Sequence, residues 1–111
     1  MEIQWQNDKL KKQLQDCDHL VRQYGQKVAR KVSQRLMELS QAPHYGKLPV
    51  AAHPHPIKDG NKFLYYSVDL PEEGGKRGKW RLAFRPYGEH DMAHVETVTA
   101  VVICGIIDHH K

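Results

Sequence analysis

Cysteine is scarce in this chain, long apolar runs are missing, and acidic residues are outnumbered by basic ones. Two cysteines, Cys17 and Cys104, exclude a disulfide framework in 111 residues, and both are expected to be reduced packing residues. No charged-then-apolar leader opens the sequence, and the longest apolar run, 100–107, is far shorter than the ~20 residues a membrane-spanning helix needs. The expectation is a soluble, cytoplasmic chain with no membrane partner. The histidine-rich stretches "HPH" (53–55) and "DHH" (108–110) have no cysteine pair or helical scaffold beside them. "HDMAH" (90–94) falls in an expected loop, so no metal and no cofactor is assigned.

What is present fits one domain spanning 1–111, with too little core to spare for a deep internal site, so chemistry is expected on an open face or groove. The formal net charge is +4, and it is unevenly placed. Residues 1–47 carry nine Lys or Arg against five Asp or Glu, whereas 48–111 carry eight of each. A positive field from the N-terminal part favours a polyanion or an acidic partner segment.

"MEIQW" predicts a short strand with Ile3 and Trp5 on one face, ended by the helix caps Asn7 and Asp8. "DKLKKQLQ" predicts a short amphipathic helix. Asp18 is the expected cap of a longer helical pattern in which Leu20, Tyr24, Val28, Val32, Leu36 and Leu39 recur at steps of three and four. Gly25 should kink or break it. Lys27, Arg30, Lys31, Gln34 and Arg35 fill the opposite side, as a solvated face or a docking surface. Four prolines between 43 and 56 predict a semi-extended connection.

Beyond it, "FLYYSVDL" alternates, with Leu64, Tyr66, Val68 and Leu70 on one face and Phe63, Tyr65, Ser67 and Asp69 on the other. "WRLAFRP" does the same, with Trp80, Leu82 and Phe84 opposed to Arg81, Ala83 and Arg85. The run "TVTAVVICGII" is apolar on both sides, as a central strand is. The fold class is α+β: a small antiparallel sheet packed against N-terminal helices.

Candidate chemistry gathers in two places. Burying two arginines is costly, so the Arg81/Arg85 face is expected to be open, where with Lys76, Arg77 and Lys79 of the intervening turn it would bind phosphate through forked N–H donors. The alternative is a cross-strand ion pair of arginine with Asp69 or Glu96. The second place is the end of the apolar strand, where His110 should emerge at the sheet rim with Asp108 two residues upstream. His53 and His55 add imidazoles on the stiffened connection. In-line attack of an RNA 2′-hydroxyl needs a base, an acid and cations for the charge on phosphorus. Two histidines and an arginine suffice.

These residues, with "MEIQW", "VSQRLMELSQAP", "YYSVDL", "KWRLAFRP" and "VTAVVICGIIDHH" in that order, resemble the RelE/ParE toxin superfamily, in its HigB-like branch of plasmid maintenance system killer proteins. The resemblance covers most of the chain. It implies a RelE-like microbial RNase fold and a type II toxin that cuts mRNA in the ribosomal A site, contacting ribosomal RNA, and it implies a HigA-like helix-turn-helix antitoxin. Carried across, His110 takes the place of the terminal catalytic histidine, Asp108 of its aspartate, His55 of the histidine before the second strand, and Arg81 of the arginine after the strand tryptophan. His109 stands where the family has tyrosine, and imidazole can also stack on a base or exchange protons. The expected activity is a metal-independent endoribonuclease in which His55 and His110 share the acid and base roles, Arg81 bears on the phosphate and Asp108 orients. The expected state is a monomer or a heteromer with antitoxin. ParE-like toxins, which share the architecture and poison DNA gyrase, are the alternative, together with a degenerate toxin that only binds its antitoxin.

Overall fold

The computed structural model describes residues 1–71 and 80–108. Its elements are β1 (Glu2–Trp5), α1 (Asp8–Leu14), α2 (Cys17–Tyr24), α3 (Gln26–Gln41), β2 (His55–Asp59), β3 (Lys62–Asp69), β4 (Trp80–Pro86) and β5 (Ala100–Asp108). This is α+β, with one five-stranded sheet in the order β1-β5-β4-β3-β2. The sheet is mixed and not purely antiparallel as expected. β2, β3, β4 and β5 pair antiparallel in turn, but β1 lies parallel to β5 along its outer edge. Ile3 and Trp5 stand opposite Val101 and Ile103, which brings the apolar face of β1 to the buried face of β5.

Asn7 caps α1, its side chain accepting from the Leu10 N–H. The second cap is Asp16, accepting from the His19 N–H, and not Asp18, which lies inside α2. At Gly25 the helix breaks: φ is +91° and ψ 162°, a backbone region open in practice to glycine alone, and α3 restarts at the next residue. Leu20, Val28, Val32 and Leu39 are buried with Val68, Leu70, Leu82, Phe84, Val101 and Ile103, so the helices cover one sheet face. Arg35 departs from the solvent stripe assigned to it. It is 2% exposed, its Nε donating to Asp69 O at 2.7 Å and its Nη1 to Glu38 Oε1 at 2.7 Å. Cys17 is exposed and not a packing residue, while Cys104 is half-buried.

Two register shifts rearrange the expected alternation. Pairing passes from Ile57–Tyr65 to Lys58–Phe63, skipping Leu64. A residue inserted in this way re-aims its neighbour, so Phe63 joins the core while Leu64 leaves it. On β5 the pairing passes from Ala83–Gly105 to Phe84–Ile103, skipping Cys104. The proline-rich connection forms two short 3-10 turns, Tyr45–Lys47 and Val50–Ala52, and its last part is β2 itself. β2 tolerates Pro56 because it is an edge strand, with one side of its backbone outside the ladder.

Tyr45 lays its ring on Tyr66, centroids 3.9 Å apart, and fixes the connection to the sheet. Burial pushes the phenols of Tyr24, Tyr45 and Tyr66 above the ordinary 10.0. For Tyr45 the neighbouring Tyr66 adds to this and Arg81 opposes it. The folded chain therefore holds these protons where the unfolded chain loses them. The stability they contribute is fully present below pH 10 and is lost as pH rises through the folded values. Urea unfolding followed by far-UV circular dichroism should show a lower midpoint at pH 11 than at pH 8, and Tyr45→Phe with Tyr66→Phe should shrink the difference.

Candidate functional site

Antiparallel pairing brings four chain segments to one end of the sheet. His55 opens β2 opposite Ser67, Asp69 closes β3 opposite Arg81, and Arg81 lies opposite Ile107 near the end of β5. Paired residues share a face, so Arg81, Ser67 and His55 stand together on the side away from Leu82 and Phe84. Arg85, further along β4, is on that side too.

Arg81 is not on an open surface. It is 2% exposed, which corrects the expectation of an accessible phosphate-binding pair. Its Nε donates to Ser67 Oγ at 2.8 Å and its Nη2 to the carbonyl of His53 at 2.6 Å. The same Nη2 stands 2.9 Å from His55 Nδ1. Its Nη1 lies 4.0 Å from Asp69 Oδ1. This is the cross-strand partner the sequence offered as the alternative, at a distance longer than a hydrogen bond. Asp69 Oδ1 is buried and has no hydrogen-bond partner among the described residues. The burial is affordable because protein acceptors replace water around the guanidinium. Arg85 remains exposed, its Nε donating to Leu64 O at 2.8 Å and its guanidinium over the Tyr65 ring at 4.7 Å.

His53 carries the only positive φ outside glycine among the described residues, φ 47° and ψ 55° at the end of a 3-10 turn. The left-handed step ends that turn just before β2, and the carbonyl it carries meets Arg81. A cleft of about 420 Å³ lined by Tyr45, Leu48, Val50, His53 and Pro54 runs beside it.

Asp108 pairs with Trp80, so alternation assigns it to the face of Leu82 and Phe84, opposite to Arg81. Arg81 and His55 are therefore brought together, while Asp108 reaches the same end of the sheet on its other side. His109, His110, Lys76, Arg77 and Lys79 lie outside the described residues. Sequence reasoning assigned no role to Ser67 and gave none to the His53 carbonyl. A signal for Ser67 was present: a small hydroxyl on the arginine face of an otherwise bulky strand. Nothing in the sequence marks the His53 backbone.

Cys104 is no candidate nucleophile. Burial raises its thiol above the ordinary value, only partly opposed by Arg85. The cluster at residues 90–96 is solvent-exposed, with His94 3.5 Å from Glu96 and 3.9 Å from Asp91. Among the described residues no three His, Cys, Asp or Glu side chains are grouped to hold a metal ion. No described helix is long and apolar enough to cross a membrane. The chain matches no family model, no curated protein and no solved structure.

Proposed function

We propose that this chain is the toxin of a type II toxin–antitoxin pair, a ribosome-dependent endoribonuclease that cuts mRNA by attack of its own 2′-hydroxyl. The observation that carries the reading is the meeting of an imidazole and a buried guanidinium, His55 and Arg81, at the end of the sheet where β5 closes on Asp108. Imidazoles from distant parts of the chain and a fixed positive charge are what a phosphodiester cleavage without a metal uses. The resemblance of the strand and helix segments to HigB-like toxins supports the same class. Exposed Lys27 and Arg30 on α3 add a basic face suited to ribosomal RNA or to the acidic part of a helix-turn-helix antitoxin. The RelE-like version of this α+β fold and a cytoplasmic site of action belong to the same proposal.

The test is primer extension on a translated message after induction without antitoxin. Cuts that depend on ribosomes are expected, and His110→Ala should reduce them about 10²–10⁴-fold, the range a positioned proton-transfer group supplies. Intact message with broken DNA would replace this reading by gyrase poisoning. Normal growth would replace it by a chain that only binds its antitoxin.

A further inference from the structure

A guanidinium has N–H donors and no acceptor, whereas a neutral imidazole has one of each. At 2.9 Å from Arg81 Nη2, the His55 Nδ1 makes a hydrogen bond to the guanidinium when it presents its lone pair. The His53 carbonyl is 3.2 Å from the same nitrogen and would suit an Nδ1–H. That oxygen accepts from Arg81 Nη2 at the shorter distance of 2.6 Å, and an Nδ1–H would set a second donor 2.9 Å from the same Nη2. Among the described residues Arg81 is also met by Ser67 Oγ on Nε, by the Ser67 carbonyl at 3.5 Å from Nη2, and by the Asp69 carboxylate near Nη1. Its geometry is set by the sheet and not by a mobile side chain.

We infer that Arg81 is a positioning residue that holds His55 as a neutral ring with its single proton on Nε2. His55 is then a hydrogen-bond donor and not a shuttle for protons. Its ligand, which rests on the ribonuclease reading, is a non-bridging oxygen of the scissile phosphate, where negative charge gathers as the 2′-oxygen attacks phosphorus. In that step the bond from phosphorus to the 5′-oxygen breaks, the 2′-hydroxyl proton goes to a base and the 5′-oxygen gains a proton. His55 keeps its own proton throughout. Base and acid are therefore to be found among the other titratable groups, His110 first. This differs from two histidines dividing acid and base work between them, and it gives the buried arginine a task other than direct contact with phosphate.

Two measurements test it. Long-range ¹H–¹⁵N correlation of the imidazole rings, with His55 assigned by its loss in His55→Gln, should show Nδ1 unprotonated and Nε2 protonated at neutral pH. A proton on Nδ1 in the wild-type ring overturns the inference, whether or not any variant folds. In Arg81→Met, if it folds, the ring should relax to a mixture of tautomers, and an unchanged ring would equally overturn it. The second measurement is cleavage. His55→Gln keeps a neutral N–H donor and should retain at least tenfold more activity than His55→Ala, while equal loss in both removes the donor role. If the wild-type chain cleaves nothing, the ribonuclease reading fails, and the ring spectrum still decides whether Arg81 sets the tautomer.

Discussion

Arg81→Met is expected to lower the free energy of unfolding by about 3–5 kcal/mol, the range for removing one partner of a buried charge pair. The side chains of Arg81 and Asp69 are 3% and 4% exposed. Without the guanidinium, the buried Asp69 carboxylate loses the positive charge 4.0 Å from its Oδ1. The Ser67 hydroxyl, fully buried, loses its donor, and so does the His53 carbonyl. Surface ion pairs contribute little, so the size of the effect separates the two placements of Arg81. The double variant Arg81→Met with Asp69→Leu should recover much of the loss, because replacing both members of a buried pair by apolar groups is often close to neutral. Urea unfolding checks both, with the slope against denaturant unchanged and the midpoint moved. A single-variant loss below about 1 kcal/mol, as at an exposed pair, would place Arg81 in solvent and undo the description of the site given above.

The arginine also shows where sequence pattern stops informing. Alternation placed Arg81 and Arg85 on one strand face, and the structure agrees, yet one is buried and the other exposed. Period-two reasoning reports a side chain's direction and is silent on what covers it. Among the described residues the guanidinium meets the His53 carbonyl, His55 and Ser67, remote in sequence and brought there by pairing register. Register was equally hidden at Leu64, where one skipped residue moves its neighbours to new faces and no residue type signals a bulge, whereas at Cys104 the following Gly105, with φ +136°, is the strand glycine that often marks one. The break at Gly25 was legible because its cause is local, a backbone angle glycine alone adopts readily. The apolar helix stripe and the two-sided core strand β5 were legible because burial repeats along them. The parallel edge strand β1 was not, since four residues carry no mark of direction. Of the candidate site, the sequence brought His55 and Arg81 forward as individual residues. Their contact depends on the His53 carbonyl and Ser67, which only the fold supplies.

Phe84→Ala should cost about 3–5 kcal/mol, as truncation of a fully buried phenylalanine does. Phe84 is 0% exposed and heads the fully buried side chains by volume. Its ring centroid lies 6.1 Å from that of Tyr66 and 6.3 Å from that of Tyr45, within the distance at which aromatic pairs add about 0.5–1.5 kcal/mol beyond burial. Truncation therefore opens a void beneath the Tyr45–Tyr66 stack, and rigid β4 and β5 backbones cannot close it. The consequence should reach the candidate site. Tyr45 anchors the connection whose second turn ends at His53, and the amides of Ala52 and His53 donate to Pro49 and Val50 within it. Losing the support of Phe84 frees that connection before it frees the sheet. Hydrogen exchange under native conditions should then show Leu48, Ala52 and His53 losing protection more than Val101 or Ile103, an opening of part of the molecule below the global unfolding energy. Equal loss across all of these amides would mean that the connection and the sheet open as one unit, and that Phe84 stabilises the His53 carbonyl only by stabilising the whole fold.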